Sequence, residues 1–318
     1  MIASGIKAKS RELGFDLCGI APAAAHPELR FFREWLARGY GGTMTYLHRS
    51  AKKRADIKVA EPTAQTVIIT GTLYNTDRPY STECTDPGRA QIARYAWGDD
   101  YHVVIERRLE ALVAWMREQS PEPFDARAYV DTGPIQERVF AQHAGVGWIG
   151  KNCCVINPEI GSWIFLAAII TSLPLPVDAP STDQCGSCTL CLEACPTQAF
   201  VAPHVLDATR CLSYQTIELR RDLTEAERAG VGSHVYGCDI CQEVCPWNAS
   251  APRSADPAWQ PRPAWDRVDL LTLAGRTDEA LAGALDGSPM ARAGVRGLRR
   301  NIAIALDNSA DRPALSSE

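Results

Sequence analysis

CGSCTLCLEACP at residues 185–196 and CDICQEVCP at residues 238–246 decide how the rest of the chain is read. The first spaces Cys185, Cys188, Cys191 and Cys195 as C-x2-C-x2-C-x3-C-P, the run of a two-cluster bacterial ferredoxin. The second repeats the ending with Cys238, Cys241 and Cys245. Thiolates at two-residue spacing also suit zinc. The C-x3-C-P tails favour clusters, because each run then lends its last cysteine to the cluster of the other. The spacing therefore predicts one 4Fe-4S cluster on Cys185, Cys188, Cys191 and Cys245. A second takes Cys195, Cys238 and Cys241 and needs one more ligand. Cys211, alone between the runs, is the natural candidate.

The chain has 318 residues, 46% of them hydrophobic, enough for a large core and two or three domains. Its twelve cysteines suggest a disulfide framework only until their spacing is read. The start, MIASGIKAKSRELGF, lacks the apolar stretch of a secretion signal, and the longest apolar run, Trp163 to Ile170, is only strand length. The expectation is a cytoplasmic protein off the membrane, where thiols stay reduced and can hold iron. A net charge of −5 gives no long-range pull towards nucleic acid and leaves room for a local basic patch.

Residues 1 to about 60 read as helical and peripheral, with a first helix over Ile6, Leu13 and Phe15 and a short strand from Leu17 to Ala21. A helix over Leu29 to Leu36 follows, then the loop GYGGTMTYL at 39–47. Its glycines with Met44 and Tyr46 make either a turn packed on the core or a floor for a flat ligand. TVIITGT at 66–72 reads as a buried strand. A strong helix lies within Arg89 to Gln119, and Ala126 to Val130 is a strand that delivers Asp131. Pro134 is then placed at the first position of the next helix, which runs to His143. Trp163 to Thr171 is another buried strand, and Leu173 to Pro180 a proline-rich linker. Strands alternating with helices over 60–172 predict an α/β or α+β core with helices covering the sheet. Arg210 to Gly232 contains a charged helical insert. Helices over Asp269–Leu273, Thr277–Leu285 and Met290–Leu306 end the chain before the tail SADRPALSSE, which is expected to fray. Neither glycine-rich nucleotide motif is present.

Two cubanes form an electron relay, so something in the core must receive the electrons. Spacing alone leaves flavin, corrinoid or a partner enzyme open. Asp131, a carboxylate at a strand end before a Gly-Pro turn, is the candidate acid; its bland alternative is a helix cap. His102 is either a core hydrogen-bonding histidine or a site residue. Cys153 and Cys154 read as buried, inert thiols.

YAWGDDYH at 95–102, YVDTGPIQER at 129–138, GWIGKN at 147–152 and the cysteine set together resemble the epoxyqueuosine reductase family. The resemblance runs from GGTMTYL to RGLRRNIAIAL at 296–306. It implies reduction of epoxyqueuosine to queuosine at the wobble position of tRNA, with cobalamin and two 4Fe-4S clusters. The core would be like that of reductive dehalogenases. By the same resemblance Asp131 is the proton donor, kept protonated by an apolar corrin face that raises its pKa. Tyr101, His102, Lys151, Asn152, Met44 and Tyr46 become the cofactor-binding candidates. Residues 1–180 would be the cobalamin domain, 181–250 the ferredoxin-like domain, and 251–318 a HEAT-like helical segment against the anticodon stem-loop. Lys52, Lys53, Arg54 and the arginines of 296–300 are the phosphate-contact candidates. The chain would act as a monomer fed by an external low-potential donor. It departs from the family pattern at Cys153-Cys154, where Thr-Leu is commoner, and in a shorter C-terminal region. The rival readings are a corrinoid-dependent reductive dehalogenase and a non-catalytic electron-transfer subunit.

Overall fold

Val67, Ile68 and Ile69 sit in an extended segment whose side chains alternate between two faces, and all three are fully buried. A strand covered on both faces needs a layer of helices on each side. The computed structural model, which describes residues 3–310, has that arrangement. The central sheet contains β1 (Leu17–Pro22), β2 (Thr66–Leu73), β3 (Ala126–Tyr129) and β4 (Ile164–Thr171), in the order β1-β2-β4-β3. On one face Ile68, Phe165, Ala167 and Ile169 pack with Ile105, Leu109 and Leu112 of the helix Tyr101–Gln119. On the other, Val67, Ile69, Ala168 and Ile170 pack with Val139, Phe140 and Ala141 of the helix Glu137–His143. Burial of one such aliphatic side chain contributes roughly 1.5–3 kcal/mol.

Every pairing in this sheet is antiparallel, so of the two expected architectures the core is α+β. The first 60 residues are not peripheral. β1 is an edge strand of the central sheet, and Ile6, Ile20, Leu29 and Ile57 are essentially inaccessible. Pro134 does not open a helix: that helix begins at Glu137, and residues 131–135 form a turn. The insert is not one helix but a π-turn at Tyr214–Glu218 and a short helix, Glu225–Val231. Thr224 and Glu227 start the latter with a reciprocal capping box.

A two-residue parallel pairing of His234–Tyr236 with Gln91–Ile92 ties the cysteine region to the core. The last helix, Gly294–Ala310, lays Leu298, Ile302 and Ala305 into a cluster with Val235, Tyr236 and Ile92. It runs through Ser309 and Ala310, where fraying was expected; the rest of the tail lies outside the described residues. The helices before it are short, Leu270–Gly275 and Asp278–Leu285, and no repeated helix pair occurs among the described residues. The HEAT-like expectation has no support beyond this single helical layer.

Arg299 and Arg300, expected at a phosphate-binding rim, face the protein. Arg299 donates to the carbonyls of Ala274 and Arg276. Arg300 donates to the carbonyls of Gln215, Leu219 and Arg221, each at 2.7 Å. Arg300→Met strands these acceptors, and we expect a loss of about 2–3 kcal/mol in denaturant unfolding. An unchanged midpoint would show that the contacts contribute nothing.

Candidate active site

The structure brings the first group of thiols to one place. Cys185, Cys188, Cys191 and Cys245 line one cavity of about 40 Å³, although Cys245 belongs to the second run. Lys151 and Asn152 lie in the wall of this cavity and not in the large one described below. The Lys151 ammonium donates to the carbonyls of Gly186 (2.7 Å) and Cys188 (2.8 Å), clamping the cysteine loop. The Asn152 amide donates to the Cys241 carbonyl at 3.1 Å. Both positions thus organise the cysteine loops.

The second group gathers through electrostatic neighbours. Cys211 faces Cys195 and Cys238, and Cys241 faces Cys211 and Cys238. Burial pushes the Cys211 and Cys238 thiols up, so metal-free they are protonated; iron coordination removes the protons. Among the described residues no three His, Cys or acidic side chains converge on a single metal ion.

Cys211 also lines a second, larger cavity of about 680 Å³. Its walls include Met44, Tyr46, Tyr101, His102 and Asp131, five of the expected site residues, contributed by three distant segments. The loop at 39–47 comes close because Gly42, at φ +54°, has no side chain; a Cβ there would stand 2.5 Å from the Tyr214 hydroxyl. That hydroxyl accepts from the Thr43 amide at 2.9 Å. Across the cavity wall, Arg292 pairs with Glu218 at 3.0 Å and lies over the Tyr46 ring.

Asp131 occupies the left-handed region at φ +58°, an uncommon conformation for a residue with a side chain. There its Oδ2 accepts from the Tyr101 hydroxyl at 2.9 Å and stands 3.6 Å from His102 Nε2. His102 Nδ1 lies 2.8 Å from Asp100 Oδ1, and Asp100 also caps the helix by accepting from the His102 amide. The Asp131 side chain is 68% exposed, because its open cavity admits solvent.

The expected raised pKa for Asp131 is not found. The neighbouring His102 ring outweighs desolvation and, with the hydrogen bond from Tyr101, holds the carboxyl below the usual range. For His102, burial pulls the pKa down, but the hydrogen bond with Asp100 and the nearby Asp131 carboxylate overcome it and raise it to about 9. These opposite shifts favour the proton of the pair on the imidazole.

Sequence reasoning missed Tyr95, Arg138, Tyr214, Glu218 and Tyr236, all in the cavity wall. Arg54, read as a phosphate-contact candidate, also lines it and donates to the Ile135 carbonyl at 2.6 Å. Glu137 was missed as well: one carboxyl oxygen is buried without a partner, and burial raises its pKa to about 8. Only Tyr95, Glu137 and Arg138 carried a signal, as members of the quoted motifs.

Thiols for two clusters, one set opening onto a chamber with a hydrogen-bonded acid in its wall, define an iron–sulfur oxidoreductase. Residues 184–248 match the family model described as "4Fe-4S double cluster binding domain", and residues 54–132 match "Epoxyqueuosine reductase QueG, DUF1730". The epoxyqueuosine reductase of Gloeobacter violaceus is 43% identical over 316 residues, covering 97% of each chain. That of Xanthomonas campestris pv. campestris is 40% identical over 311 residues, covering 96% of this chain and 87% of the relative. A crystal structure of epoxyqueuosine reductase with an epoxyqueuosine-modified tRNA-Tyr stem loop superposes with a TM-score of 0.87 at 31% identity. It covers 98% of this chain and 82% of that one. The chain belongs to the epoxyqueuosine reductase family.

Proposed function

We propose that this oxidoreductase reduces the epoxide of epoxyqueuosine to the alkene of queuosine at the wobble position of tRNA, with Asp131 delivering the proton. The carrying observation is that Asp131, Tyr101 and His102 share one cavity with Cys211. Net reduction of an epoxide to an alkene takes up two electrons and two protons and releases water. An external low-potential donor supplies the electrons through the cluster of Cys185, Cys188, Cys191 and Cys245. They pass to that of Cys195, Cys211, Cys238 and Cys241, which adjoins the cavity.

The chemistry of the cavity fits a corrin: it is broad, open, bounded by tyrosines, and carries its acid in the wall. Met44, Tyr46, Tyr101 and His102 would hold the ring. Cobalamin, when bound, supplies a low-potential metal centre able to open the strained ring. Tyr101 orients the Asp131 carboxylate, and protonated His102 keeps a proton 3.6 Å from it. Asp131 passes this proton to the departing oxygen. Neutral Glu137 is a second stored proton close enough to feel the charge of Asp131. The substrate base leaves an anticodon loop, where splaying costs less than in a duplex.

In this reading residues 1–180 bind cobalamin, 181–250 hold the clusters, and 251–318 contribute to the tRNA face. The protein works as a cytoplasmic monomer. Among the described residues no helix is long and apolar enough to cross a membrane.

Protein purified anaerobically from cells given cobalamin should carry about eight irons, matching two 4Fe-4S clusters, and one cobalt per chain. It should convert an epoxyqueuosine-bearing stem-loop. Eight irons without cobalt after reconstitution would leave only an electron-transfer protein.

With Arg299 and Arg300 committed inward, Lys52, Lys53 and the exposed Arg296 remain the candidates for phosphate contact. The variant K52A/K53A/R296A should flatten the slope of log affinity against log salt by about 0.7–0.9 per lost contact. An unchanged slope places the tRNA elsewhere.

A further inference from the structure

A further cavity of about 260 Å³ shares no residue with the large one. It lies between the segment 78–97 and the turn at 265–267, and Tyr80, Trp97 and Trp265 give it aromatic walls. A cavity of about 150 Å³ already holds benzene, so this one has room for a flat ring and a substituent. The charges around it decide what that substituent is. Arg78 donates to both carboxylate oxygens of Asp266, at 2.9 and 2.7 Å. Asp86 accepts from the Gly88 amide at 2.9 Å and pairs with Arg89 at 3.6 Å, while Glu83 accepts from the Tyr80 amide at 2.9 Å. Every acid of the wall is engaged. Arg267 is not: it is exposed, and among the described residues its guanidinium has no hydrogen-bond or ion-pair partner. Its backbone stands at φ +51°, and its carbonyl accepts from Arg89.

The aromatic walls are backed by two more cations. Arg94 lies over Tyr80 and Trp97, at 5.1 and 4.6 Å, and Arg276 over Trp265 at 5.7 Å. Both donate to neutral groups: Arg94 to Thr76, Arg78 and Pro79, Arg276 to the Ala264 carbonyl. Asp239 and Glu243, the acids whose charge reaches Arg94, accept instead from backbone amides. The buried Trp265 indole N–H also has no acceptor among the described residues. What the wall leaves unmatched is therefore donors and positive charge, and a ligand must bring the acceptors.

We propose that this cavity binds a nucleoside monophosphate, with its base between the aromatic walls and its phosphate on Arg267. Aromatic stacking of the base, with arginine on the phosphate, is a general way of holding a single nucleotide. The nucleotide is either free or one residue of an RNA chain.

The test is isothermal titration calorimetry of the holoenzyme with adenosine monophosphate, adenosine and inorganic phosphate. The monophosphate is expected to bind once per chain, and adenosine and phosphate each at least about tenfold more weakly, since each keeps only part of the contacts. R267G removes the cation at a left-handed position that glycine adopts freely, so the fold is kept. It should weaken the monophosphate about tenfold, while iron content and conversion of the stem-loop stay at wild-type levels. R267K, which keeps the charge without the planar fork, should lie between the two. A repeat with saturating stem-loop separates the sources: exclusion of the monophosphate assigns the site to a residue of RNA, and simultaneous binding assigns it to the free nucleotide. No binding of the monophosphate, adenosine binding as tightly, or equal affinity in wild type and R267G would each overturn the proposal. A monophosphate held in the large cavity would give the last of these.

Discussion

D131N is expected to lower kcat on an epoxyqueuosine-bearing stem-loop by about 10²–10⁴-fold, the usual contribution of a positioned general acid. Asparagine keeps the size of the side chain and can still accept from Tyr101, so cobalamin and iron contents should stay at wild-type levels. It cannot take up and release a proton. Unchanged turnover with all cofactors in place would refute the assignment. The same pair fixes a pH dependence. Asp100 and the nearby Asp131 carboxylate lift His102 above its ordinary 6.5, to about 9 in the fold. A histidine with a raised folded pKa binds its proton more tightly when folded. Its stabilisation is thus fully present below pH 6.5 and is lost as pH rises through about 9. Turnover that draws on this proton falls on the same alkaline side. D100N removes the partner at 2.8 Å while leaving Asp131 in place, so its alkaline limb should move to lower pH. A limb that stays fixed in D100N would exclude His102 as the proton source.

C211A is expected to remove about four of the eight irons and to abolish turnover, because the cavity-side cluster is the one that borders the chamber. A cubane with three thiolates and an open iron corner is prone to loss, and no electron then reaches the cavity. The more discriminating comparison is between C238A and C245A, seven residues apart in one run. Cys245 shares its cavity with Cys185, Cys188 and Cys191, whereas Cys238 neighbours Cys211. C245A should therefore disturb the outer cluster and C238A the inner one, seen as loss of different resonance signals. If both variants lose the same signal, the exchange of ligands between the runs is wrong.

The sequence by itself singled out the cysteine runs as cluster-ligand candidates, because such ligands obey a local rule: thiols three or four residues apart on a tight loop can reach an inorganic core. It also determined the central strands, since β-branched runs such as Thr66–Leu73 have few other fates once both faces are buried. Asp131 could be picked out as the end of a strand before a Gly-Pro turn. Strand direction could not be read, because an antiparallel and a parallel strand show the same alternation of side chains. That is why β1, short and early, looked peripheral although it closes one edge of the sheet.

Tertiary structure alone decided who shares a wall with whom. The large cavity joins the loop at 39–47, the helix start at 101, the turn at 131 and the insert near 214, so no window of sequence contains it. Lys151 and Asn152 carried the right motif, but folding turned them to the cysteine loops. Arg299 and Arg300 carried the right charge, but nearby carbonyls claimed it. The opposite shifts of the pair, Asp131 held down and His102 pushed up, were hidden for the same reason. A pKa is set by distances of a few ångströms to groups from distant parts of the chain, and the fold alone fixes those distances.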